Sequence, residues 1–129
     1  MRLTSSAPRT PLWRLAGLVA CGAVLGTLAR AALGIALPHG PGEWPWATFA
    51  INIAGSFVLA VVLESLAHAG PDTGWRRGVR LGVGTGVIGG FTTYSTYVVE
   101  IDRLAQSGHT WLGIAYALLS VVVGLAAVL

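Results

Sequence analysis

Residues Gly89 to Tyr97 read Gly-Gly-Phe-Thr-Thr-Tyr-Ser-Thr-Tyr in the middle of an apolar stretch of membrane-spanning length. Hydroxyls and adjacent glycines at that depth are costly, so they line a path, a cavity or a helix contact. Two adjacent glycines also mark where a membrane helix can break and expose backbone carbonyls, a device that builds ion sites. A second polar group is Thr48, Asn52 and Ser56, spaced i, i+4, i+8 and so forming one stripe along a helix. An Asn amide offers two N–H donors, which suits an anion losing its water. The stripe is read as a path lining in preference to plain helix–helix hydrogen bonding. Thr93 and Tyr97 share a face, as do Tyr94 and Tyr97. Aromatic ring edges carry positive quadrupole and can meet an anion without the full charge that would trap it. Aromatic core packing is the competing reading. Tyr116 and Ser120 make a shorter polar face of the same kind.

Other polar residues say less. Arg30 lies deep in the first apolar run among small neighbours, and a buried guanidinium there needs carboxylate or carbonyl partners. A structural role is favoured. Glu64 and Glu100 fall toward span ends and read as interfacial or paired. His39, His68 and His109 sit at loops or span ends without ligand spacing. Gly84 to Gly89 matches GxGxxG literally, but it lies within a span and not between a strand and a helix start, so nucleotide binding is rejected. No catalytic triad, zinc pattern or phosphate loop is found, and no enzyme is predicted.

These groups need apolar helices to hold them. Of 129 residues, 54% are apolar and only 10% charged, against about 25% charged in soluble domains. The mean hydropathy is +0.72. The chain reads as one four-helix membrane domain over 1–129, with spans at about 12–37, 46–68, 78–101 and 110–129. The N-terminal arginines resemble a signal peptide, but the apolar run is too long and is expected to remain as the first span. Trp13, Trp44, Trp46, Trp75 and Trp111 fall at the ends of these spans, as an interfacial belt requires. The third span holds Gly82, Gly84, Gly86, Gly89 and Gly90 and should be the buried helix. Arg2, Arg9, Arg14, Arg76, Arg77 and Arg80 oppose Arg103 alone, which predicts cytoplasmic termini. The net charge of +3 is too small and scattered for a nucleic-acid surface. The lone Cys21 forms no internal disulfide and packs as a small apolar residue.

Three segments together resemble the small four-helix fluoride channels of the Fluc, or CrcB, family. They are Gly22–Arg30, Thr48–Phe57 and Gly86–Tyr97. The resemblance implies an all-α membrane protein whose third helix is broken near its middle. It further implies an antiparallel, dual-topology dimer with two fluoride pathways along the subunit interface. On that register Asn52, Thr93, Tyr94, Tyr97, Tyr116 and Ser120 line the pathway. Arg30 and Ser56 are structural. The backbone carbonyls of Gly89 and Thr92 hold a structural Na⁺ at the dimer interface. The partners implied are fluoride, membrane lipid and a second subunit in the cell membrane.

Two departures stand out. The family usually carries Phe where this chain has Tyr94 and Tyr97, which adds two hydroxyls. The arginine imbalance predicts one-way insertion and pairing with an oppositely oriented paralogue. The rival readings are a proton-coupled multidrug exporter, which needs an embedded acid that the first span lacks, and a non-conducting subunit of a heteromeric channel. Asn52→Asp is expected to separate scaffold from path, because only a scaffold would tolerate it.

Overall fold

The computed structural model describes residues 11–129, all of whose regular structure is helical. The elements are α1 (Leu12–Ala36), α2 (Trp46–Ala69), α3 (Gly74–Val79), a π-helix (Arg80–Ile88), α4 (Gly89–Phe91), α5 (Tyr94–Gln106) and α6 (Thr110–Ala126). They form four rods, the third made of α3, the π-helix, α4 and α5 in succession. By length and composition α1 and α2 can each cross a membrane, while α6 is a shorter apolar helix. The third rod runs four residues before and five beyond the expected 78–101, and the fourth helix stops at Ala126.

The apolar side chains point outward. Leu25, Leu28, Leu118 and Val122 are each about 60% exposed, and among the described residues the buried apolar core is limited to six residues. Alongside those six lie the buried polar residues Thr48, Thr93 and Glu100. Lipid tails solvate Leu as well as a protein core does, so packing inside a membrane falls to small residues and hydrogen bonds. This is a membrane protein.

Glycines set the closest contact. A Cβ on Gly22 would overlap the Gly82 carbonyl, one on Gly26 the Val87 carbonyl, and one on Gly90 the Ala23 carbonyl. Gly22 and Gly26 on α1, and Gly86 and Gly90 on the third rod, each keep small-xxx-small spacing, so the two backbones touch. The register rises together along both, from Leu18 beside Gly78 and Gly82 to Gly26 beside Phe91, so α1 and the third rod are parallel. Leu59 meets Gly84 while Asn52 meets Thr93, so α2 is antiparallel to the third rod. Arg14, Arg76, Arg77 and Arg80 therefore gather at one end of the bundle, and Arg103 lies at the other. Arg2 and Arg9 lie outside the described residues.

The break comes at Thr92–Thr93, and not at the glycine pair, which stays helical. Thr92 (φ −74°, ψ 156°) and Thr93 (φ −147°, ψ 126°) are extended. The reason is where the glycines are needed and where the freed backbone finds partners. Gly90 is occupied in the contact with α1, whereas the peptide groups of Thr93 are met by side chains described below. Downstream, α5 ends in a Schellman turn: the His109 N–H reaches the Leu104 carbonyl at 2.8 Å and the Gly108 N–H reaches Ala105 at 3.1 Å. Gly108, at φ 83°, supplies the left-handed residue this turn requires. Of the five tryptophans, Trp13, Trp46, Trp75 and Trp111 are exposed at helix starts as a belt requires. Trp44 instead packs inward, edge-on to Phe49 and Tyr116 with ring centroids 5.5 and 5.4 Å away.

Candidate functional site

The break is held by Asn52. Its Nδ2 donates to the Thr93 carbonyl at 3.0 Å, and its Oδ1 accepts from the Thr93 N–H at 2.9 Å. One side chain thus satisfies both halves of an interrupted helical peptide, which an apolar surrounding would otherwise leave unpaired. The Thr93 hydroxyl then caps α5 by accepting from the Thr96 N–H at 3.2 Å. Gly55 has no side chain, and the Thr92 methyl fills that space. Asn52 is therefore structural as well as polar, and one Nδ2 hydrogen is left over. Asn52→Asp would set an anionic oxygen against the Thr93 carbonyl. Scaffold and path alike would be damaged, so the substitution does not discriminate between them as expected.

The same two diversions free two carbonyls. In an unbroken helix the Thr93 N–H would return to Gly89 and the Thr96 N–H to Thr92. Here those donors go to Asn52 and to the Thr93 hydroxyl. The oxygens of Gly89 and Thr92 are left with unused lone pairs, a hard-oxygen donor set suited to a small cation. The preceding π-helix, with its wide Gly89 N–H to Gly84 carbonyl closure, delivers the chain to this point. π segments are rare and concentrate at functional sites.

Above the break lies a groove of ≈ 390 Å³, open along one side of the chain. Asn52, Ser56, Gly89, Thr92, Thr93, Tyr94, Tyr97 and Ser120 all border it, with Leu59 and Ile88 among its apolar walls. The Ser120 hydroxyl oxygen is buried and has no hydrogen-bond partner. The Tyr94 and Tyr97 rings lie 6.0 Å apart, and Tyr97 lies 5.4 Å from Tyr116. Among the described residues no full charge borders the groove.

Two site residues lie elsewhere. Tyr116 is fully buried, and its hydroxyl donates to Glu100 Oε2 at 2.8 Å. Arg30, half-buried on α1 and not deeply enclosed, has no carboxylate or carbonyl partner among the described residues. Thr48, at the head of the polar stripe, also turns to Glu100, donating to Oε1 at 2.7 Å. Glu100 is 5% exposed, and His39 Nε2 stands 3.9 Å from it. Its central place was the main thing missed. Thr93, Tyr97, Glu100 and Leu104 follow i, i+4, i+7, i+11, so the inward face of α5 was written in the sequence, and Glu100 is on it. Two hydroxyls donate to the carboxylate, which keeps it engaged as a structural acceptor.

Four rods, the third of them broken, and a polar groove free of full charges among the described residues define a small helical membrane protein. The family model of CrcB-like protein, Camphor Resistance (CrcB), matches residues 17–129. The chain belongs to this family. It is 54% identical over 110 residues to Fluoride-specific ion channel FluC 1 of Cutibacterium acnes, covering 85% of this chain and 77% of that one. It is 50% identical over 112 residues to Fluoride-specific ion channel FluC 2 of Leifsonia xyli subsp. xyli, covering 87% and 77%. It is 40% identical over 117 residues to Fluoride-specific ion channel FluC 1 of Mycobacterium bovis, covering 90% and 86%.

Proposed function

We propose that this protein is a fluoride channel that lets cytoplasmic F⁻ leave passively. The observation that carries the reading is the uncharged groove, lined by Asn52, Ser56, Thr93 and Ser120 and by Tyr94 and Tyr97, in a chain of this family. Fluoride is small and tightly hydrated, so entry requires substitute donors along a narrow route. The unpartnered Ser120 hydroxyl and the remaining Asn52 N–H supply such donors, and ring edges add weak positive potential. With no guanidinium or ammonium in the groove, the ion is not held too tightly to leave. An inside-negative potential drives F⁻ outward by ~2.3 kcal/mol per 100 mV.

The groove is open on one side, which supports closure by a second, antiparallel subunit. Gly89 and Thr92 would hold a structural Na⁺ where the two breaks meet, and a bound cation there would fix the two broken helices against each other. The arginine-rich end formed by Arg14, Arg76, Arg77 and Arg80 supports a cytoplasmic placement for that end, in the plasma membrane. The same bias supports pairing with an oppositely oriented paralogue.

The test is fluoride efflux from liposomes bearing the purified protein, with chloride efflux and protein-free liposomes as controls. Rapid efflux confined to fluoride is expected if the chain acts as a homodimer. Efflux that appears only on co-reconstitution with a paralogue would assign it to a heteromeric channel. Absence of fluoride efflux in both arms would refute the reading.

A further inference from the structure

The two tyrosines at the groove differ in what their hydroxyls do. Tyr97 reaches across from α5 to α6 and donates to the Ala117 carbonyl at 2.9 Å. That hydroxyl is engaged by a carbonyl that does not line the groove, while Tyr97 itself borders it. Tyr94 is 79% exposed, borders the same groove, and its hydroxyl meets no partner among the described residues. Its ring packs at 6.0 Å against the held Tyr97 ring with a tilt of 39°. One turn beyond Ala117 on α6, the Ser120 hydroxyl is buried without a partner and borders the groove too.

We propose that Tyr94 is a specificity-determining residue whose hydroxyl donates to the permeating anion, while Tyr97 only positions the wall. This rests on the channel reading above. A phenol O–H is a donor without net charge, so it strengthens ion capture without creating a trap. Tyr97 donates its hydroxyl hydrogen to the Ala117 carbonyl, so that hydroxyl is not a donor to the ion.

The experiment compares wild type, Tyr94→Phe and Tyr97→Phe in liposomes, measuring fluoride flux against fluoride concentration, with the melting temperature of each protein read alongside. Tyr94→Phe is expected to raise the half-saturating fluoride concentration about ten- to hundredfold, the size of one hydrogen bond to a charged group, with an unchanged melting temperature. Tyr97→Phe is expected to lower the melting temperature and to shift that concentration less than Tyr94→Phe does, because the bond it loses runs to the Ala117 carbonyl and not to the ion. A Tyr94→Phe protein that melts like wild type and saturates like wild type overturns the inference alone. So does a larger saturation shift in Tyr97→Phe than in Tyr94→Phe. A wild-type protein that moves no fluoride, alone or with a paralogue, overturns the channel reading and this inference with it.

Discussion

Removing the Asn52 amide should open the break before it affects anything else. In Asn52→Ala both the N–H and the carbonyl of Thr93 lose their partners, at 2.9 and 3.0 Å. Thr93 is 7% exposed, so neither group is well placed to find a replacement. Each unpaired buried group costs ~1–3 kcal/mol, giving about 2–6 kcal/mol for the pair. Asn52→Asp keeps an acceptor for the N–H but opposes an anion to the carbonyl, so it should cost at least as much. By contrast, Tyr97→Phe forfeits one hydrogen bond to a helical carbonyl, worth ~0.5–1.5 kcal/mol. The assay is thermal denaturation in detergent followed by tryptophan fluorescence, with limited proteolysis to report opening around Thr92–Thr93. Both Asn52 variants should melt clearly below Tyr97→Phe. An Asn52→Ala protein that melts with wild type and resists cleavage at the break would refute the reasoning, because Thr93 would then not depend on that side chain.

Three further outcomes follow from the packing. Gly26→Val places a side chain on the Val87 carbonyl, so α1 must withdraw from the third rod; the loss should exceed the ~1–3 kcal/mol of ordinary overpacking and be seen as lowered melting temperature and poor extraction. Glu100→Leu strands the Thr48 and Tyr116 hydroxyls at ~1–3 kcal/mol each, while Glu100→Gln should cost less because hydroxyls can rotate to accept from the amide; comparing the two melting temperatures checks this. In the α2–α3 loop, a hydrogen bond from Arg80 holds the Asp72 carboxyl below the usual carboxylate range. A depressed pKa means the contact stabilises above the unfolded value of about 3.9 and fades as pH falls below it. Trp75 fluorescence should therefore respond to acid in wild type and not in Asp72→Asn.

The sequence by itself determined the class, the four rods and the polar residues that border the groove. Sparse charge and long apolar runs leave a membrane as the only solvent that suits the chain, and helical spacing puts Thr48, Asn52 and Ser56 on one stripe. The Gly89–Gly90 pair marked where a break could fall, because glycine lets a membrane helix part and expose its carbonyls, and the hydroxyls beside it needed a reason to be at that depth. Only the tertiary structure decided the partners. Asn52 clamps Thr93, Thr48 and Tyr116 turn to Glu100, and Tyr97 reaches Ala117, in pairs separated by 41, 52, 16 and 20 residues. Periodicity reports which face a residue occupies, and it carries no information about what lies opposite that face. The position of the break shows the same limit. Glycine permits an interruption, but the interruption settles where another helix offers both a donor and an acceptor, and Asn52 offers them at Thr93.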